Sequence, residues 1–165
     1  MSVKIKTTVN KFPSMIAEIK DLNGKKIKVG VTGEQAWLAG IHEYGCRITI
    51  TPKMRNWLRA NGLPVRASTS HITIPERSFL RGGFDNCHEE VAKKITMVVP
   101  LVIGGQMSKD QCYDLVGTLF RDRVKDYAVD LRDPPNHPFT IERKNSSNPL
   151  VASSDMINSI DYEVE

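Results

Sequence analysis

The sequence predicts a chain of the α+β class, and three observations carry that prediction. Lys25 to Val31 alternates, with Ile27, Val29 and Val31 on one face and lysines on the other, which marks a half-buried strand. Arg47 to Pro52 and His71 to Pro75 share one pattern, period-two alternation stopped by a proline that cannot donate to a ladder, and they read as paired antiparallel strands. Ser108 to Leu131 keeps helical spacing along its length. The second half is mostly helical and holds the two longer helices.

Taken in order, Val3 and Ile5 alternate weakly over residues 3–9, and Phe12, Ile16 and Ile19 mark a short helix ending near Asn23-Gly24. After the first strand Gly33 breaks the pattern. Glu34 to Tyr44 then has helical spacing through Trp37, Leu38 and Ile41, with Gly45 as its C-terminal stop. The two proline-ended strands bracket an excursion containing a short amphipathic helix (Met54, Trp57, Leu58), then Asn61-Gly62, Pro64 and a Ser/Thr-rich return. The expectation is a projecting β-hairpin arm over about residues 47–75, its outer part 51–72. Arg55 and Arg59 fall one turn apart on the same face of its helix.

Phe84, His88, Val91, Ile95 and Val98 form the next helical stripe, which Pro100 must kink or end. Gly104-Gly105 turns the chain, and Ser108 with Gln111 forms a capping box. The helix it opens places Cys112, Leu115, Val116, Leu119, Phe120, Tyr127, Ala128 and Leu131 on one face. Lys109, Asp110, Asp114, Arg121, Asp122 and Lys125 lie on the other. Asp133-Pro134-Pro135 stops it. A polar loop and a closing strand through Ile160, Tyr162 and Val164 complete a C-terminal unit, 132–165.

A length of 165 residues suits one domain with a real core, and 40% hydrophobic with 25% charged residues is ordinary for a globular chain. The longest apolar run, Met97 to Ile103, is too short to span a membrane and contains Pro100. The N-terminus has no apolar leader core, so secretion is not expected. Cys46, Cys87 and Cys112 are odd in number and widely spaced, which fits reduced thiols.

Chemistry finds little support. Val29-Gly30-Val31-Thr32-Gly33 lacks the third glycine and the lysine of a phosphate-binding loop. His42 with Cys46, and Cys87 with His88, do not have the spacing of a zinc ribbon or finger. No glycine elbow flanks a serine, and paired carboxylates such as Glu89-Glu90 and Asp122 with Asp126 read as solvated. No catalytic residue, metal or cofactor is assigned.

Charge is the live signal. The chain carries +4, but Tyr44 to Phe84 holds seven basic residues (Arg47, Lys53, Arg55, Arg59, Arg66, Arg77, Arg81) against one acid, Glu76. That segment is +6, so the remainder sums to −2. Six of the seven are arginine, the side chain preferred for planar hydrogen bonding at interfaces.

The order of motifs resembles that of the bacteriophage virion-morphogenesis proteins, the tail-completion or neck proteins of the head–tail interface. The residues that carry the resemblance are Val29-Gly30-Val31, Ile41-His42-Glu43-Tyr44-Gly45, Ile74-Pro75-Glu76-Arg77-Ser78-Phe79-Leu80-Arg81, Asn148-Pro149-Leu150-Val151 and Asn158 to Val164. Ser78 departs from a family proline, and Ala152-Ser153-Ser154 replaces a family turn. The resemblance implies a small antiparallel sheet flanked by helices and a non-catalytic, homo-oligomeric ring of six or twelve copies. The ring's implied partners are the tail terminator or tail tube and the head-connector or head-closure proteins, around the DNA channel and away from any membrane. A closing ring needs two unlike patches. Arg77, Phe79, Leu80 and Arg81 are the expected first patch and the helix carboxylates Asp114, Asp122 and Asp126 the second. Lys53, Arg55, Arg59 and Arg66 are expected on the arm or along the DNA path. Replacing Arg77 and Arg81 together is expected to leave a folded subunit that cannot assemble. The alternative is a nucleic-acid-binding protein that uses the basic arm.

Overall fold

A computed structural model describes residues 11–151 and 154–165. The alternation at 3–9 and the substituted turn at Ala152-Ser153 lie outside the described residues. Helix α1 (Phe12–Gly24) leads to β1 (Ile27–Val31), and a single 3-10 turn at Gly33–Gln35 opens α2 (Ala36–Tyr44). Then come β2 (Cys46–Thr49), α3 (Pro52–Ala60), β3 (His71–Ile74), α4 (Phe79–Ile103), α5 (Lys109–Asp130), α6 (Pro138–Lys144), α7 (Asp155–Asn158) and β4 (Ile160–Val164). The fold is α+β, and its strands form two separate antiparallel pairs.

β1 pairs with β4, Ile27 opposite Val164 and Val31 opposite Ile160. The alternation seen in the sequence decides which faces are covered: Ile27, Val29 and Val31 turn inward, as do Ile160, Tyr162 and Val164, while Asp161 and Glu163 face solvent. The inward face rests on α5, where Gly117 is essential to the approach. A Cβ there would collide with the Tyr162 ring, so only glycine admits the strand this close.

α4 and α5 pack as an antiparallel pair and supply most of the core: Phe79, Cys87, Val91, Val98 and Val102 from the first, Cys112, Val116, Val124 and Ala128 from the second. Leu150, Met156, Ile157 and Ile160 close it from the C-terminal segment. The capping box that opens α5 is formed, with the Ser108 hydroxyl accepting from the Gln111 N–H at 3.1 Å and the Gln111 side chain from the Ser108 N–H at 3.0 Å.

Several expectations change. α4 begins at Phe79, five residues before the stripe read from the sequence, and Phe79 sets its inward phase. Phe84, His88 and Ile95 therefore fall to the flank, where the Phe84 ring stacks on His88 and tilts against Phe120. Pro100 does not end the helix, which runs on to Ile103. The polar loop after Asp133 contains α6, whose first turn is capped by the His137 ring accepting from the Phe139 N–H at 3.3 Å, and the short α7. Trp37 points away from the core.

The β2–β3 hairpin is present, with Cys46 opposite Ile74 and Thr49 opposite His71, and α3 lies in its connection. Ile50 and Leu58 are buried yet belong to no part of the main core, so the arm is a lobe with its own small kernel. Thr51 caps α3 by accepting from the Met54 N–H at 3.2 Å.

Candidate functional site

Three of the segments that carry the family resemblance, 41–45, 74–81 and 148–151, are joined by one run of hydrogen bonds that begins at Glu43. Ala39 and Glu43 sit one turn apart on the inward side of α2, at 3% and 2% exposure. A carboxylate in that position must be hydrogen-bonded to be tolerated. The first turn of α4 provides the donors. The Leu80 and Arg81 N–H groups donate to Glu43 at 2.8 and 3.1 Å, the Ser78 hydroxyl at 3.2 Å and Arg81 Nε at 2.8 Å. Ser78, the N-cap residue of α4, makes no side-chain cap of its own. Glu43 supplies the missing acceptor from another helix, and its charge suits the positive end of the α4 dipole. Burial opposes ionisation of Glu43, but the bonds from Arg81, Leu80 and Ser78 outweigh it and hold the carboxyl below its ordinary value.

Arg81 extends outward from this point. Its Nη2 reaches the Glu43 carbonyl at 3.1 Å and the Glu76 carboxylate at 2.7 Å, and the guanidinium lies 4.9 Å from the centre of the Tyr44 ring. Gly45 brings the strand back past it. At φ 68° its backbone is in the left-handed region, and a Cβ would stand 2.8 Å from both the Glu76 nitrogen and the Ile74 oxygen.

Arg77 turns the other way, into the protein, and is 3% exposed. Its backbone N–H donates to the His42 carbonyl at 2.7 Å. Nε donates to the Pro134 carbonyl at 2.8 Å, and Nη2 to the Pro135 carbonyl at 3.2 Å and to Asn136 Oδ1 at 3.1 Å. Nη1 lies 3.4 Å from His42 Nδ1. Asn136 and Lys144 both donate to the carbonyls of Asn148 and Pro149. Asn148 completes the frame, accepting from the Leu150 and Val151 N–H groups at 2.9 and 3.1 Å and donating to the Val129 carbonyl at 2.6 Å. Burial, with the cations Arg77 and Lys144 beside it, pushes the His42 imidazole down to about 4.

This geometry corrects the expected first patch. Arg77 and Phe79 are buried, at 3% and 0% exposure, so neither is offered to a neighbouring molecule. Removing Arg77 would empty a buried site and take the donor from the Pro134 and Pro135 carbonyls and Asn136 Oδ1, so the double replacement with Arg81 attacks the fold before it tests any interface. Leu80 is half-buried, while Arg81 keeps about half of its side chain in solvent. The expected acids of α5 are on the surface with partners in their own chain: Asp114 accepts from the Tyr162 hydroxyl, Asp122 pairs with Arg121, and Asp126 with Arg123.

On the arm, Lys53, Arg59 and Arg66 are exposed, but Arg55 is not the outward partner of Arg59 that its spacing suggested. Its guanidinium turns under the lobe and donates to the carbonyls of Val65, Arg66 and Thr69 at 3.4, 2.6 and 2.7 Å. The sequence reading also missed an exposed aromatic pair on α2. Trp37 and Tyr44, seven residues apart and so on one face of α2, are 75% and 68% exposed. The available signal was Glu43, since a helix that turns a carboxylate inward must turn neighbouring residues out. Among the described residues no group of three or more His, Cys, Asp or Glu could hold a metal ion, and no helix is long and apolar enough to cross a membrane. Comparison of the chain with protein-family models, curated proteins and solved structures finds no match.

Proposed function

We propose that this chain is a structural subunit of a bacteriophage neck. It would form a ring at the head-proximal end of the tail and join the tail to the head connector around the DNA channel, without catalysing a reaction. Two lines of support combine. The motifs resemble the virion-morphogenesis pattern in order, and their polar residues serve to build a subunit: Glu43, Arg77 and Asn148 hold three distant segments together.

The observation that carries the assembly reading is the outward face of α2. Trp37 and Tyr44, with Arg81 beside the Tyr44 ring, are of the residue types that dominate binding energy at protein interfaces, and a monomer has no reason of stability to expose two aromatics on one helix face. A ring contact is heterologous, so this patch would meet a different surface on the next copy or on a stacked neck protein.

The test is Trp37→Ala with Tyr44→Ala in a phage that depends on this chain. Circular dichroism should match the unaltered protein, because both side chains are already in solvent. Heads and tails should accumulate unjoined, with infectious titre down at least 100-fold. Normal titre, or absence of the chain from purified particles, would overturn the reading.

A further inference from the structure

We infer that the β2–β3 lobe is a docking surface for the phosphate backbone of double-stranded DNA. From Gly45 to Pro75 the chain has no carboxylate and five cationic side chains. The fold concentrates this asymmetry. Several cations elsewhere are neutralised at close range: Lys28 by Glu165, Lys109 by Glu18 and Asp21, Arg121 by Asp122 and Asp161, Arg123 by Glu90 and Asp126. Among the described residues, no carboxylate comes within ion-pair distance of Arg47, Lys53, Arg59 or Arg66, and none reaches Arg143, which α6 adds to the lobe. Arg143 is fixed there by a 2.8 Å bond to Asn61 and by lying 5.1 Å from the Trp57 ring centre.

The surface is also held in shape before any partner arrives. Arg55 ties the loop that carries Arg66 to the helix that carries Lys53 and Arg59, through three backbone carbonyls. Lys53, Arg59 and Arg66 make no side-chain bond within the described chain and remain free to meet phosphates.

The chemistry favours duplex over two other polyanions. An acidic protein surface would need an apolar anchor among the charges, yet the one large exposed hydrophobe of the lobe, Trp57, already has Arg143 over its ring. Single strands need faces on which bases stack, and the same contact occupies the only candidate. Cations without directed partners suit a uniform line of phosphate charge, read without regard to sequence. The inference rests on the neck reading only for where DNA is met, and purified components suffice to test it.

The experiment measures binding of a labelled 30-base-pair duplex by anisotropy from 50 to 200 mM salt, with the unaltered chain, with Lys53→Ala/Arg59→Ala/Arg66→Ala, and with Lys93→Ala as an off-lobe control. With about four phosphate contacts, log Kobs should fall against log salt with a slope near about −3.6. The triple variant should flatten that slope by about 2.7 and lose at least tenfold in affinity at 50 mM salt, while Lys93→Ala changes neither. No binding at 50 mM salt, an unchanged slope in the triple variant, or equal competition by polyglutamate of the same charge would each overturn the inference. None of these results bears on whether the chain is found in particles, so the two readings can fail separately.

Discussion

Glu43 is the residue on which the local structure turns, because one carboxylate satisfies the N–H groups that α4 leaves open and orients Arg81 at the same time. Its removal leaves the Leu80 and Arg81 N–H groups, the Ser78 hydroxyl and Arg81 Nε without that acceptor. Glu43→Ala should therefore lower the free energy of unfolding by about 3 kcal/mol, read as a shift in the urea midpoint. A loss under about 1 kcal/mol would contradict the role given to it. Its neighbour His42 makes stability depend on pH. The imidazole titrates at about 4 in the fold against an ordinary 6.5, so between those values the unfolded chain takes up a proton that the native chain refuses. Stability must then fall as pH drops from about 6.5 to about 4 and level off below that for this group. At about 1.4 kcal/mol per pH unit the loss is about 3 kcal/mol. Glu43 acts in the same sense at lower pH, since a depressed carboxyl contributes stability that fades as pH falls through its native value. Urea midpoints at pH 7.5 and 4.5 check this: His42→Gln should remove most of the difference between them.

At the scale of elements, the elements were legible where pattern and packing agree. The β1 alternation, the paired proline-ended strands and the capped α5 all read correctly, because each buries the face that its period defines. α4 read less well because its phase is set at Phe79, inside a motif whose arginines and proline looked like surface. α6 and α7 are too short to show a period and form because neighbours hold their ends. The lobe is the clearest case of an element stabilised by one side chain. Arg55→Ala should free the loop at 61–70, speeding amide exchange at Ile50 and Leu63, whose N–H groups bond the Ser70 and Leu58 carbonyls, by at least tenfold. Exchange in α5 should stay unchanged. Equal protection in the lobe of the variant would show that β2–β3 pairing alone fixes it.

On the whole molecule, two sets of charged groups have different jobs. Glu43, Arg77, Arg81 and Lys144 join α2, α4 and the C-terminal segment into one body. Lys53, Arg59 and Arg66 meet no partner inside it. A small subunit that carries an aromatic face on α2 and a cationic lobe apart from the main core has two unlike surfaces, which is what stacking between copies and around a polyanion requires. In the proposed ring, such a subunit would gain its neighbours by effective concentration on a template, and a monomer in solution would be compatible with that proposal.

The sequence by itself determined the class of fold, the order of most elements and the local surplus of positive charge. These depend on neighbours along the chain: period, capping, turn residues and counts of charge. Which arginine faces in and which faces out was decided only by tertiary structure. Arg77, just before α4, and Arg81, in its first turn, are four residues apart, as are Arg55 and Arg59 within α3, yet in each pair one side chain is held by backbone carbonyls from outside its own helix. The choice is set by where Pro134, Asn136 and Thr69 fall in space, and spacing along one helix carries no record of that.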